Sequence, residues 1–183
     1  MAYLILQAFY FALPAYIANM CPVIFAKFGL MKRLAKPIDA GKQLNGQPLF
    51  GANKTWRGFA AGVIGGLVIS GLQAVAFRTN PFFHDLSLFD YRPVWIYFGF
   101  LAGAGAIIGD LIKSFFKRRV SIKAGDSWPI FDQLDFIIGF FIFTSLIFRP
   151  GWMIFTIVCL LTLILHPLTN IIGYLLGWKK VWW

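Results

Sequence analysis

The residues best suited to chemistry are gathered in one stretch of the chain, residues 109–136. This stretch holds five of the seventeen basic residues and four of the seven carboxylates, which are Asp110, Asp126, Asp132 and Asp135. Strongly apolar runs flank it at 94–108 and 136–148. Because an ionisable residue at the end of a membrane span is costly to keep there, this density of charge predicts a functional site.

Three of these carboxylates are placed to share a cation. Asp132 and Asp135 are three residues apart and share one helical face, while Asp110 lies near the end of the preceding apolar run at a similar depth. Mg²⁺ prefers carboxylate oxygens and usually binds together with substrate phosphates, and no His or Cys lies nearby to favour zinc. The pattern therefore predicts a Mg²⁺ site formed by Asp110, Asp132 and Asp135.

Basic and hydroxyl side chains follow Asp110 on its own face of the helix. We expect these residues to bind phosphates, and they are Lys113, Ser114 and Lys117. The alternative is a set of internal salt bridges that hold the helices together. That interpretation is disfavoured, because buried ion pairs are poor stabilisers.

The segment 27–57 offers a second anion-binding element. The runs 37–42 and 51–58 combine glycine with charge, and the second run enters an apolar stretch. Backbone N–H groups at a helix start, beside Lys and Arg, can cradle a phosphate. The candidates are Asp39, Lys42, Asn53, Lys54, Thr55 and Arg57. The spacing is not that of a nucleotide-binding P-loop, so a basic loop for lipid contact is the alternative.

The composition indicates an integral membrane protein. Hydrophobic residues make up 59% of the chain and charged residues 13%, with a mean hydropathy of +0.72; a soluble domain carries about twice that charged fraction. The net charge of +10 suits anionic lipids or a polyphosphate ligand. The basic residues are interleaved with apolar runs, which argues against nucleic acid as a binding partner. Cys21 and Cys159 fall inside apolar runs without metal-ligand spacing.

The predicted fold is all-α, with one transmembrane catalytic domain over 1–183. The expected spans are 3–26, 58–77, 94–112, 132–148 and 152–176, joined by functional cytoplasmic loops 27–57 and 113–131. Lys and Arg concentrate in these loops, so the positive-inside rule places the N-terminus outside and the C-terminus in the cytoplasm. The tail 178–183 is predicted to be an interfacial anchor. The fourth apolar run is short, so its helix must include Asp135 and Asp132 to cross the membrane.

Three polar residues lie on one face of the last predicted span. Thr162, His166 and Asn170 are spaced four residues apart and share one face of the helix. A packing role for His166 is favoured, and lining a lipid cavity is the alternative.

Together, these motifs resemble a known family. The residues that carry the resemblance are Gly109-Asp110-Leu111-Ile112-Lys113-Ser114, Lys117-Arg118, Lys123, Asp126-Ser127, Pro129 and Asp132-Gln133-Leu134-Asp135, with Pro37-Ile38-Asp39 and Lys54-Thr55-Trp56-Arg57-Gly58. They are similar to the membrane cytidylyltransferases that make CDP-activated lipids, most closely to the archaeal branch. The bacterial branch usually has Gly-His-Gly-Gly where this chain has Trp128-Pro129-Ile130-Phe131.

The resemblance implies that CTP and an isoprenoid ether lipid phosphate react to give a CDP-lipid and pyrophosphate. It implies catalytic roles for Asp110, Lys113, Asp132 and Asp135. Phosphate contacts would come from Lys54, Arg57, Lys113, Lys117 and Lys123, and contacts to cytosine, ribose or the loop from Asp39, Asn53 and Asp126. The active site would face the cytoplasm from the cell membrane, with no obligate protein partner.

Two other functions stay open at this point. One is a bacterial-type enzyme acting on phosphatidic acid. The other is a small ion channel or transporter, which is disfavoured because the charges cluster at one side of the membrane.

Overall fold

A computed structural model describes residues 1–123, 125–179 and 181–182. In chain order the elements are α1 (Ala2–Lys27), a 3-10 turn (Lys32–Leu34), β1 (Gln43–Leu44), β2 (Gln47–Pro48) and α2 (Trp56–Thr79). They continue with α3 (Pro81–Leu86), α4 (Trp95–Arg119), α5 (Phe131–Thr144) and α6 (Trp152–Leu175). The predicted tail anchor includes Lys180 and Trp183, which lie outside the described residues.

Four helices in the described part of the chain are long and apolar enough to cross a membrane: α1, α2, α4 and α6. The fifth predicted span, 132–148, is instead the 14-residue helix α5 followed by a turn. At 1.5 Å per residue α5 is roughly 21 Å long, less than a hydrocarbon core of roughly 30 Å. Length therefore does not confirm a fifth span.

The helix boundaries differ from the sequence prediction mainly at α4. The helix continues to Arg119, so the first seven residues of the predicted loop 113–131 are helical. This continuation carries Lys113 and Lys117 on the same rigid element as Asp110. The short helix α3 and the β1–β2 hairpin were not predicted, and the hairpin is a small exception to the all-α assignment.

Glycines bring α2 and α4 into backbone contact. A Cβ atom added to Gly103 would lie 2.6 Å from the carbonyl oxygen of Gly62, and one on Gly99 would lie 2.8 Å from that of Gly66. These glycines therefore let the backbones of α2 and α4 approach closely.

A second glycine contact fixes α5 against α4. A Cβ on Gly105 would lie 2.6 Å from the carbonyl oxygen of Gly139, and a Cβ on Gly109 would collide with the carbonyl oxygen of Asp135. Gly109 is the neighbour of Asp110. The contact therefore sets how closely the first turn of α5 approaches Asp110.

The opposite end of the bundle is filled by aromatic rings. We call it the aromatic cluster, and it comprises Phe11, Phe89, Tyr91, Phe98, Phe140 and Phe148. The ring centroids of Phe11 and Phe140 are 5.2 Å apart, and those of Phe89 and Phe148 are 4.9 Å apart. Because α1, α4, α5 and the turn after α5 all contribute rings, this end holds the helices in register.

Candidate active site

The ammonium group of Lys113 lies where three carboxylates converge. Its Nζ atom is 2.6 Å from Oδ1 of Asp132, 3.0 Å from Oδ2 of Asp135 and 3.3 Å from Oδ1 of Asp110. Asp110 comes from the same helix and the other two from the first turn of α5. The structure thus brings together the three carboxylates that the sequence predicts to meet.

Two further lysines complete what we call the charged centre. Nζ of Lys54 is 2.5 Å from Oδ2 of Asp110, and Nζ of Lys117 is 2.9 Å from Oδ2 of Asp132. Three carboxylates are therefore matched by three ammonium groups. Side chains of this kind are rarely buried unless paired, and the pairing explains how the centre persists beside apolar helices.

The turn before α5 holds Asp132 in place. The backbone N–H of Trp128 donates to Oδ2 of Asp132 at 2.5 Å, and the rings of Trp128 and Phe131 stack with centroids 4.4 Å apart. Between them, Ile130 has φ of 70°. A β-branched residue rarely adopts this conformation, so backbone strain is stored next to a proposed catalytic carboxylate.

The first loop is closed at its base, and this closure directs Lys54 inward. The backbone N–H of Ile38 donates to the carbonyl of Lys54 at 2.8 Å, and that of Trp56 donates to the carbonyl of Lys36 at 3.0 Å. Oγ1 of Thr55 accepts from the N–H of Gly58 at 3.2 Å, which caps α2. Lys54 therefore reaches Asp110 from a fixed position.

Asp39 organises the interior of this loop. Its carboxylate accepts hydrogen bonds from the backbone N–H groups of Gly41 (3.0 Å), Phe50 (3.0 Å) and Gly51 (3.1 Å). Burial raises the pKa of Asp39, but these hydrogen bonds outweigh it and hold the pKa below the ordinary value. Of the roles considered for Asp39, loop ordering is the one these contacts support.

The β1–β2 hairpin ties the loop to α4. Its turn residues Asn45 and Gly46 both have positive φ, the requirement of a type I′ turn. Arg119, at the end of α4, donates to the carbonyl oxygen of Pro48 at 2.5 Å. The last turn of α4 thus supports the loop that delivers Lys54.

A cavity of about 860 Å³ adjoins the charged centre, and we call it the main cavity. Predicted residues in its lining are Asn53, Lys54, Thr55, Arg57, Asp110, Lys113, Asp132 and Asp135. Its described lining has five basic side chains (Lys27, Lys54, Arg57, Lys113, Lys179) against three carboxylates. The cavity therefore carries an excess of positive charge suited to anionic reactants.

A smaller hollow of about 170 Å³ lies beyond Lys54 and Lys113, and we call it the loop hollow. The predicted residues Asn53, Ser114, Lys117 and Asp126 line it. Lys42 and Lys123 are exposed and are in neither of these described linings.

The donor set of the charged centre fits a hard divalent cation by type. Three carboxylates supply the oxygens that Mg²⁺ prefers, and Oδ2 of Asp135 is buried beside the ammonium group of Lys113. In the part of the chain that the structure describes, however, no three Asp, Glu, His or Cys side chains are arranged to coordinate a metal ion. Lys113 bridges the three carboxylates instead.

Several lining residues were missed or left undecided by the sequence. Asn19, Lys27, Trp178 and Lys179 had no predicted site role, and all four line the main cavity. His166, for which the sequence favoured a packing role, lines it as well. Lys27 and Lys179 could have been suspected from the sequence, because they lie at the basic ends of the first and last predicted spans. Their inward direction depends on turns that hydropathy does not reveal.

Comparison with known proteins agrees with this geometry. The family model for CarS-like CDP-archaeol synthases matches residues 1–183. The chain belongs to this family. The CDP-archaeol synthase of Methanocaldococcus jannaschii is 35% identical over 181 residues, covering 98% of each chain. That of Methanospirillum hungatei is 38% identical over 183 residues, covering 93% of this chain and 99% of the relative.

A solved structure also resembles this fold. It is that of an intramembrane enzyme for archaeal membrane lipids biosynthesis, with a TM-score of 0.75 and 30% identity. The match covers 91% of this chain and 94% of that chain. The similarity therefore extends over the helices as well as the motif-bearing loops, and it supports a multi-pass membrane protein.

Proposed function

We propose that the chain transfers CMP from CTP to 2,3-bis-O-(geranylgeranyl)-sn-glycerol 1-phosphate, giving CDP-archaeol and pyrophosphate. Family membership makes it a CTP-dependent nucleotidyltransferase of archaeal lipid synthesis. The observation that carries the proposal is the convergence of Asp110, Asp132 and Asp135 on Lys113 beside a basic cavity. Two anionic reactants need this kind of environment.

The reaction makes modest demands on the protein. An oxygen of the lipid phosphate attacks the α-phosphorus of CTP, and the bond from that phosphorus to the bridging oxygen breaks as pyrophosphate leaves. The second pKa of a phosphate monoester is about 6, so the nucleophile is mostly a dianion at neutral pH and needs no general base. The protein has to neutralise charge and align the reactants in line.

The lysines of the charged centre are suited to this task. Each lysine side chain is a flexible stem that ends in an ammonium group with three N–H donors. The ammonium groups of Lys54, Lys113 and Lys117 can therefore move from the carboxylates to the phosphates. Arg57 lines the same cavity and offers a bidentate contact. Asn53 lines both the main cavity and the loop hollow, which suits it to contact the ribose or base of the nucleotide.

We further propose that Asp110, Asp132 and Asp135 hold Mg²⁺. When bound, the ion would neutralise the triphosphate and the departing pyrophosphate as a Lewis acid. The glycine contact between α4 and α5 keeps the three carboxylates together, and the N–H of Trp128 orients Asp132.

Five spans are proposed, with the N-terminus outside and the active site facing the cytoplasm across the cell membrane. In support, the first loop, the start of α5 and the segment Trp178–Lys179 all line one cavity, so they lie at the same end of the bundle. Lys and Arg concentrate at this end, as the positive-inside rule requires of the cytoplasmic side. The turn after α5 delivers Phe148 to the aromatic cluster, which supports α5 as the short fifth span.

The purified protein in detergent tests the proposal directly. It is incubated with α-labelled CTP and Mg²⁺ in three arms: the ether lipid 1-phosphate, phosphatidic acid, and no lipid. We expect label in the ether lipid, with one pyrophosphate per product. Label in phosphatidic acid alone would support the bacterial-type reaction instead. No product in any arm would remove the enzymatic proposal.

A further inference from the structure

The segment after α6 turns back over the main cavity. Gly177 has φ of 67°, and the backbone N–H groups of Trp178 and Lys179 then donate to the carbonyl of Gly173 at 2.8 and 3.1 Å. Nζ of Lys27, at the end of α1, donates to the carbonyl of Gly177 at 3.2 Å. The segment is thus held by two helices and points Lys179 into the bundle.

Lys179 is a partly buried cation without an acidic partner. Its Nζ donates to Oδ1 of Asn170 on α6, and among the described residues no carboxylate forms an ion pair with it. Burial, and then the positive charge of Lys54, lower the pKa of Lys179. A cation that is partly removed from water in this way is stabilised by binding an anion.

Lys179 lies where the main cavity meets the seam between α1 and α6. Two small hollows open along this seam, one of about 190 Å³ that is almost wholly apolar and one of about 50 Å³. The first shares Asn19 and His166 with the main cavity, and the second shares Lys179. The seam therefore joins an apolar surface to a cation at the edge of the reaction site.

The other side of the charged centre has a different chemistry. The loop hollow is lined mainly by polar and basic groups such as Ser114, Lys117 and Asp126, with Phe50 as the large apolar side chain in its described lining. A third site, an apolar groove of about 370 Å³ between α4 and α5, meets the centre only at Lys113 and Asp135. These two residues are paired with each other, so the groove offers no spare cation.

We propose that Lys179 binds the phosphate of the lipid substrate, whose chains leave along the seam between α1 and α6. Asn170 is the positioning residue that directs the ammonium group. This inference rests on the proposed function, since it names the part of that site which takes the lipid rather than the nucleotide.

Steady-state kinetics with both substrates varied tests the assignment. We expect K179M to raise KM for the ether lipid phosphate by about 10-fold or more, as expected for losing a hydrogen bond to a charged group. KM for CTP and kcat should stay within about two-fold. K179R should recover most of the affinity for the lipid. The matched control is K32M, which removes an exposed lysine of the first loop and should change neither KM.

Equilibrium binding to CTP-free protein provides a measurement that does not need turnover. The probes are the ether lipid phosphate and the uncharged diether glycerol. Wild type should prefer the phosphate, and K179M should lose that preference. If K179M does not fold, N170A keeps the charge but frees the lysine, and we expect KM for the lipid to rise by a smaller factor.

The outcomes separate the two proposals. A wild type that makes no CDP-lipid would overturn the proposed function and this inference with it. A wild type that does make it, with K179M raising KM for CTP instead, would assign Lys179 to the nucleotide and overturn the inference alone. Unchanged lipid KM in K179M would also overturn it and direct attention to the groove between α4 and α5.

Discussion

The two ends of this bundle are built from the same helices and differ completely in how they are held together. At one end, Phe11, Phe98 and Phe140 are fully buried and pack ring against ring. At the other end, carboxylates and lysines pair between α4 and α5 beside a cavity of about 860 Å³. Apolar packing would stabilise that second end better than buried ion pairs do. The contrast indicates that the charged end is kept for ligands and that the aromatic end provides the rigidity.

The largest effect should come from Asp132→Asn. Asp132 pairs with both Lys113 and Lys117, so the substitution weakens phosphate positioning and the proposed metal site together. We expect turnover to fall by about 1000-fold or more, as for the loss of a key electrostatic group, with unchanged gel-filtration behaviour in detergent. The control is Asp85→Asn, which removes an exposed carboxylate outside the site. Near wild-type turnover in Asp132→Asn would remove the metal assignment.

Gly109→Ala should break the positioning of the charged end without altering a charge. The added Cβ would collide with the carbonyl oxygen of Asp135, so α5 must move away from α4. We expect about 100-fold lower turnover, because small displacements of reacting groups are costly, and a lower unfolding temperature. Gly151→Ala is the matched control, since a Cβ there meets nothing within 4 Å. Equal behaviour of the two variants would show that close helix approach is not needed.

Asp39→Asn should have an intermediate effect, because an amide oxygen cannot replace a carboxylate that accepts three N–H groups. We expect about 10-fold lower turnover, as the first loop no longer holds Lys54 firmly. The pKa of Asp39 is below its ordinary value of 3.8 in the folded protein. Its contribution to stability is therefore fully present above about pH 4 and is lost as the pH falls through the folded pKa.

Thermal unfolding as a function of pH checks this linkage. The wild type should exceed Asp39→Asn in unfolding temperature near pH 7, and the difference should shrink below pH 4. A difference that grows on acidification would contradict the role assigned to the carboxylate.

Phe11→Ala should change turnover least. The ring contacts Phe98, Phe140 and Phe148, and none of these residues lines the main cavity. We expect the free energy of unfolding to fall by about 3–5 kcal/mol, as for other large core truncations, while kcat per folded molecule stays within about two-fold. Unfolding in mixed detergent and turnover on the same sample measure both. A loss of turnover as large as that of Asp39→Asn would show that the two ends are coupled.

Much of the charged end could be predicted from the sequence. Asp110, Asp132 and Asp135 stand out because charge beside apolar runs is expensive, and helix periodicity gives the shared face. The central position of Lys113 could not be predicted, since a lysine three residues from one carboxylate can pair locally or reach across to another helix. Contact between α4 and α5 decides that choice.

The parts that depend on turns were the least predictable. Hydropathy located the long helices, but it could not show that α5 ends at Thr144, because the following residues are equally apolar. It also treated Lys179 as part of a surface anchor. The positive φ of Gly177 and the hydrogen bonds to Gly173 direct Lys179 into the bundle. Neither feature can be detected in the hydropathy pattern of the sequence.

The one-to-one matching of lysines and carboxylates in the charged centre has a consequence for how reactants arrive. An anion bound by Lys54, Lys113 or Lys117 deprives an aspartate of its counter-ion, so each negative charge that these three lysines bind calls for a positive charge to replace them. A nucleotide that carries its own cation meets this condition on arrival, whereas a bare one does not. We therefore expect the charged centre to bind a nucleotide together with its cation more readily than the bare nucleotide.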